Sequence, residues 1–231
     1  MSILNSLTKR SRLNSAIKQT KEARKSEGGK ADYLFKKVYE DYADIVHDDP
    51  LRAEALYFWG HALLHQAKTK AGEDAARLYR DAILKFAFCL TLDPNYLAAA
   101  IDGGVCYMDM ARLQNAAKNS ELYAKAQQEF ERANSIQGGA ASYNLACIHA
   151  LRGEKDACLK ALENSRDKGS LPDTQDIVND PDMASVQNQA WFVEFLESRK
   201  KKPEEAAQPS EEPAAEASSE PEEEDKTEAD A

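Results

Sequence analysis

One segment of the sequence recurs three times at a spacing of 44 residues, and this repeat restricts the chain to a modular fold. Residues 31–50, 75–94 and 119–138 align without a gap. The aligned apolar positions are Leu34, Leu78 and Leu122; Phe35, Tyr79 and Tyr123; Val38, Ala82 and Ala126; Tyr42, Phe86 and Phe130; and Ile45, Cys89 and Ala133. Spacings of three and four residues place them on one face of a helix. Pro50, Pro94 and Gly138 end the copies, so each copy predicts a helix with a defined stop.

A second helical run lies between successive copies, at residues 53–70 and 96–113. Its apolar residues also recur at helical spacing. They are Leu56, Trp59 and Leu63 in the first run and Ile101, Val105 and Met108 in the second. The repeating unit is therefore a pair of helices, which predicts an all-α array.

The units resemble the tetratricopeptide repeat, which pairs a large residue, Leu and a small residue in one helix with Ala, an aromatic and Pro in the next. The first unit matches at Leu56, Trp59, Gly60, Leu63, Ala82, Phe86 and Pro94, and the second at Ala100, Gly103, Gly104, Tyr107, Ala126 and Phe130, with Gly138 in the proline position. A third unit has Leu145, Ala146, His149, Cys158 and Leu162. The resemblance implies a right-handed superhelix of antiparallel helix pairs.

The first two units are longer than the family norm of about 34 residues. Gly60 and Ala82 are 22 residues apart, as are Gly104 and Ala126, whereas Ala146 and Cys158 are only 12 apart. We expect the extra residues to lengthen both helices of these units by about five residues each, roughly 7 Å per helix.

The segment after Gly169 resembles the closing element that often follows bacterial arrays of this type. It predicts a short helix near residues 173–178 and a final helix carrying Trp191, Phe192, Phe195 and Leu196. A terminal repeat needs such a cap because its apolar face has no further neighbour. The alternative is that the aromatic residues form a ligand-binding box.

Charge divides the chain into three parts: a basic arm (1–30), a helical domain (31–200) and an acidic tail (201–231). Residues 203–231 contain 12 acidic residues and one Lys, a composition that favours disorder. The remaining 202 residues have 29 basic and 28 acidic side chains, so the sequence pI of 5.0 reflects the tail. The tail could aid solubility, bind a basic partner or pair with the arm.

Three uses remain open for the basic arm, whose apolar residues Ile3, Leu4, Leu7, Leu13 and Ile17 recur at roughly helical spacing. It could pack on the array or remain mobile, contact an acidic membrane, or target an organelle. The sequence contains no apolar run of membrane-spanning length and no secretory signal. With four cysteines outside any CxxC motif, we expect a cytoplasmic protein with reduced thiols.

The resemblance also implies a binding surface, because first-helix residues line the inner face of such arrays. The corresponding residues are Tyr57, His61, Leu64, His65, Ile101, Val105, Met108, Asp109, Tyr143, Asn144 and Cys147. This mostly apolar and aromatic set predicts capture of a hydrophobic or amphipathic peptide. Relatives that bind chaperone tails use Lys, Arg and Asn at particular groove positions. At the matching positions of this chain only Asn144 has a suitable side chain, so binding of chaperone tails is not implied. The competing interpretation is that Tyr57, Ile101 and Met108 are ordinary packing residues.

Catalytic signatures are lacking from the sequence, so we predict a protein-binding adaptor, chaperone-like or assembly factor rather than an enzyme, with no cofactor. Two alternatives remain. One is a membrane-associated assembly protein that uses the arm, and the other is a metal-dependent enzyme that uses His61 and His65, which are spaced to share a metal ion. Nucleic acid is not an expected partner, because the arm lacks aromatics and the tail would repel phosphate. The sequence does not indicate an oligomeric state.

Overall fold

The computed structural model describes residues 3–49 and 52–198, with side chains from Lys9 onward. Within these ranges the regular structure is entirely helical, which confirms the all-α fold class. The α-helices are α1 (Ile3–Lys25), α2 (Gly28–Asp48), α3 (Ala53–Ala67), α4 (Gly72–Leu92), α5 (Leu97–Leu113), α6 (Glu121–Ile136), α7 (Ser142–Arg152), α8 (Lys155–Asp167), α9 (Thr174–Asn179) and α10 (Ala190–Ser198). A 3-10 turn, Pro181–Met183, lies between α9 and α10.

The helices pack in consecutive pairs: α1 with α2, α3 with α4, α5 with α6 and α7 with α8. Three of these pairs are the units predicted from the repeat, and α1 completes a further pair at the front. The expected boundary at residue 30 thus falls within α2, near its start. The acidic tail, residues 201–231, lies outside the described residues.

Helix α1 is held by both apolar packing and ion pairs. Leu13, Ala16 and Ala23 are buried against α2 and α3. Arg10 Nη1 lies 3.0 Å from Glu54 Oε2 of α3. Because Leu13 is used in this contact, membrane contact through the arm remains a prediction about Ile3, Leu4 and Leu7, whose side chains are outside the described residues. None of the described helices has the length and apolar character needed to cross a membrane.

Two glycines allow the helices of the long pairs to approach closely. A Cβ atom at Gly60 would lie 2.8 Å from Cε1 of Phe86, and one at Gly104 would lie even closer to Cε1 of Phe130. Both rings are almost fully buried. The glycines are 44 residues apart, as are the two phenylalanines, so the repeat preserves the same backbone-to-ring contact in each pair.

The extra residues of the long units are distributed unequally, unlike the even lengthening that we expected. Helix α4 has 21 residues against 13 in α8, whereas α3 has 15 against 11 in α7. In the second unit α5 has 17 residues and α6 has 16. A loop at 114–120 takes up several of its additional residues, and Asn115 adopts a positive φ there. This polar stretch, Gln-Asn-Ala-Ala-Lys-Asn-Ser, offers no apolar face to extend either helix.

The capping segment, residues 170–198, covers the end of the array as the sequence predicts. Phe192 and Phe195 of α10 are buried, and Trp191 and Leu196 pack partly against the main core. The rings are thus occupied by the protein's own packing, which argues against an aromatic ligand box. Arg112 of α5 donates to the buried carboxylate of Asp182, so an ion pair joins the capping segment to the array.

The adjacent glycines of α5 provide a stability test with an internal control. We expect Gly104→Ala to lower the free energy of unfolding by about 1–3 kcal/mol, because the methyl group would overlap the buried Phe130 ring. Gly103→Ala has its nearest contact at 3.8 Å and should raise stability by up to about 1 kcal/mol through helix propensity. Urea unfolding followed by circular dichroism measures both. Equal effects of the two substitutions would contradict the close-packing argument.

Candidate partner-binding groove

The inner helices α5 and α7 and the capping segment enclose an open cleft of about 530 Å³, which we call the concave cleft. Six of the sequence-predicted groove residues line it. Val105, Met108 and Asp109 come from α5, and Tyr143, Asn144 and Cys147 come from α7. Their spacing of three and four residues places each set on one helix face, so the helical repeat brings them together.

The wall of the concave cleft is apolar where α5 meets α7. Met108 and Cys147 are each 4% exposed, while Val105 and Tyr143 are partly exposed. Burial raises the pKa of the Cys147 thiol, and the nearby Asp180 carboxylate raises it further. The sulfur is therefore a neutral thiol at pH 7 and adds to the apolar character of the wall.

A carboxylate of the capping segment faces this wall. The Tyr143 hydroxyl donates to Asp180 Oδ2 at 2.8 Å, and the Cys147 thiol lies 3.7 Å from the same oxygen. Burial raises the pKa of Tyr143, as do Cys147 and Asp180. The tyrosine therefore remains a neutral hydrogen-bond donor, and its position is set by the capping segment.

The predicted groove residues of α3 form a separate polar cluster next to α5. Tyr57 donates to Asp102 Oδ2 at 3.3 Å, and the Nδ1 of His61 lies 3.0 Å from the same oxygen. The Tyr57 ring packs against Tyr96 at a centroid distance of 4.9 Å. Burial and the Asp102 carboxylate raise the pKa of Tyr57. These side chains bind one another and remain partly exposed on the inner surface.

The histidine pair does not have the arrangement that a metal site requires. The rings of His61 and His65 meet edge to face at a centroid distance of 4.4 Å. Arg24 donates to Nε2 of His61 at 3.4 Å while Nδ1 donates to Asp102, so both ring nitrogens are engaged. In the described part of the chain, Cys147, Asp180 and Asp182 are the three residues whose ligand atoms lie close enough together to share one metal ion. It contains neither histidine, and Arg112 already supplies a cation there.

Two other predicted groove residues serve mainly as packing residues. Leu64 is 3% exposed and belongs to the main core. Ile101 is partly buried against the same core. The inner surface is therefore open mainly at α5, α7 and the capping segment.

Several residues that line the concave cleft were missed by the sequence analysis: Lys68, Arg112, Asp176, Asn179, Asp180, Pro181 and Asp182. The repeat could have identified two of them, because basic residues recur at the same repeat position. Arg24, Lys68 and Arg112 follow one another at a spacing of 44 residues. The aspartates of the capping segment belong to no repeat. Only the tertiary structure brings them to the cleft.

Comparisons with known proteins identify a family of receptor subunits. Residues 31–155 match the family described as plant specific mitochondrial import receptor subunit TOM20. The chain is 31% identical over 80 residues to mitochondrial import receptor subunit TOM20-3 of Arabidopsis thaliana, covering 35% of this chain and 40% of that protein. Among solved structures, that of MamA is similar with a TM-score of 0.49 and 20% identity, covering 73% of this chain and 95% of that one.

These findings refine two expectations and overturn a third. The tetratricopeptide resemblance holds for the fold, but the matching family model is that of TOM20. The family supports a protein-interaction or receptor role and a non-enzymatic function, without supporting the narrower adaptor or chaperone-like assignments. The expected cytoplasmic location is wrong, because the family is one of mitochondrial import receptor subunits. Since the family match spans more than half of the 231 residues of the chain, the chain belongs to the plant-specific TOM20 family of mitochondrial import receptor subunits.

Proposed function

We propose that this chain is a receptor subunit at the mitochondrial outer membrane that binds a hydrophobic or amphipathic segment of proteins to be imported. The binding site is the concave cleft. The observation that carries this proposal is an open cleft of about 530 Å³ with an apolar wall formed by Val105, Met108, Tyr143 and Cys147. Family membership supports the receptor role.

The shape and chemistry of the cleft suit a helical segment better than a small molecule. An amphipathic helix presents apolar residues at i, i+3, i+4 and i+7 to a hydrophobic groove. The wall offers apolar groups from two neighbouring helices, and the rim offers amide and carboxylate groups from Asn144, Asn179 and Asp176. A polar rim around an apolar centre is typical of protein interfaces.

The α3 cluster extends the inner surface without a positive charge from His65. Burial lowers the pKa of His65 to about 4, with further lowering by His61, Arg24 and Lys68. His65 is therefore neutral at pH 7. The neutral imidazole of His65, which packs edge to face against His61, leaves this end of the inner surface compatible with an apolar ligand.

Substitution in the apolar wall tests the proposed site. We expect Val105→Glu to weaken binding of a fluorescein-labelled amphipathic helical peptide by at least about tenfold, because a carboxylate would be buried beneath the ligand. Val193→Glu is the matched control, since Val193 is exposed on α10 and does not line the cleft. Fluorescence anisotropy gives the Kd, and circular dichroism verifies folding. If both variants bind as the wild type does, the site lies elsewhere.

His65 gives a prediction about stability at acidic pH. Its pKa is about 4 in the folded protein and about 6.5 in an unfolded chain, so the unfolded state binds more protons between these values. The free energy of unfolding should therefore decrease as pH falls from 6.5 to 4, by about 1–3 kcal/mol from this group. His65→Gln should flatten that decrease. His47→Gln, at an exposed position, is the control for removal of an imidazole. Parallel pH profiles for wild type and His65→Gln would contradict the assignment.

A further inference from the structure

Helix α1 carries an excess of positive charge. It contains seven basic residues and one acidic residue, Glu22. Three of the basic side chains form ion pairs with carboxylates of neighbouring segments. These pairs are Lys9 with Asp49, Arg10 with Glu54 and Arg12 with Asp48. The first half of the helix thus uses its charge within the fold.

The second half of α1 carries lysines without such partners. Lys18, Lys21 and Lys25 are all exposed. Among the ion pairs of the described residues, none includes any of these three side chains. Glu22 is exposed nearby and offsets the charge of one lysine. The remaining positive charge is therefore available to a partner outside the array.

The three lysines lie on one face of α1, which we call the lysine stripe. Lys18, Lys21 and Lys25 are separated by three and four residues, which places them in line along a helix. The face that packs on α2 and α3 has a different register. Its buried residues are Leu13, Ala16, Thr20 and Ala23. At about 100° per residue, the lysine stripe is on the side of the helix that points away from this packing.

The two registers change character towards the start of α1. Continued back along the helix, the packing register falls on polar residues, Ser6 and Lys9, whereas the register of the lysine stripe falls on Ile3 and Leu7. A helix on a membrane surface combines apolar residues that enter the boundary between head groups and acyl chains with lysines that attract anionic lipids. A soluble acidic partner would match the lysines but would leave the apolar positions unexplained.

We propose that the lysine stripe of α1 binds the anionic surface of a lipid bilayer, with positions 3 and 7 at the apolar boundary. This inference rests on the proposed function and deepens it, because it assigns the surface by which the receptor contacts its membrane. None of the residues that line the concave cleft belongs to α1. The cleft therefore stays open to a ligand while α1 lies on the membrane.

Sedimentation with lipid vesicles tests the inference. The full chain should bind vesicles of phosphatidylcholine and phosphatidylserine at least about tenfold more tightly than vesicles of phosphatidylcholine alone, because each lysine is attracted to an anionic surface. Lys18→Gln with Lys21→Gln and Lys25→Gln should weaken binding to the anionic vesicles at least about tenfold. Raising the ionic strength should weaken binding of the wild type as well.

Arg77→Gln with Lys155→Gln and Lys160→Gln is the matched control, because it changes the net charge by the same amount at exposed positions on α4 and α8. This variant should bind anionic vesicles as the wild type does. Leu7→Ser changes no charge and should weaken vesicle binding in part, since position 7 shares the register of the lysine stripe. Circular dichroism verifies that each variant is folded.

Several outcomes would overturn the inference: equal binding of the wild type to both kinds of vesicle, binding to neither, or unchanged binding of the triple lysine variant. An equal loss in the matched control would assign the effect to overall charge and would overturn it too. If anionic vesicles bind only after residues 203–231 are removed, the acidic tail occupies the lysine stripe and the inference fails for the full chain.

The proposed function is tested separately in the same proteins. The triple lysine variant should bind the fluorescein-labelled amphipathic peptide with the affinity of the wild type, because the lysine stripe is outside the concave cleft. Loss of vesicle binding with intact peptide binding therefore assigns the two activities to two surfaces. If the wild type binds vesicles but no peptide, the proposed function fails while the membrane contact stands.

Discussion

The contact between a helix backbone and a buried aromatic ring sets the architecture of the two long helix pairs. At Gly60 and Gly104 the absence of a side chain lets Phe86 and Phe130 lie against the facing helix. The cost of glycine within a helix, about 1 kcal/mol each, is offset by this dense packing. Because the same contact recurs after 44 residues, α3 and α5 lie in equivalent positions and expose equivalent faces.

The two halves of the inner surface differ because their polar residues have different partners. In the first half Tyr57 and His61 both bind Asp102, so polar side chains satisfy one another within the array. In the second half Tyr143 binds Asp180 of the capping segment instead. An array with the same repeats but a different cap would therefore have a different cleft, and the capping segment forms part of the proposed binding site.

Local patterns predicted the helices well and the lining of the concave cleft only in part. Spacing at three and four residues identified the helix faces, and six of eleven predicted residues line the concave cleft. Leu64 was predicted to line the groove but lies in the core, because on a wide apolar helix face core and groove positions have the same residue types. Lys68 and Arg112 could have been predicted from the sequence, since the repeat aligns them with each other and with Arg24.

The sequence by itself determined the helix pairs, their stops, the small residues at the close contacts and the need for a terminal cap. These features arise from periodicity and backbone preferences that act over a few residues. Only the tertiary structure decided where the inner surface is open and which carboxylates of the capping segment line the concave cleft. Arg112 and Asp182 are 70 positions apart, and a single ion pair at that separation leaves no periodic trace in the sequence. Their approach depends on how the capping segment turns back over α5 and α7.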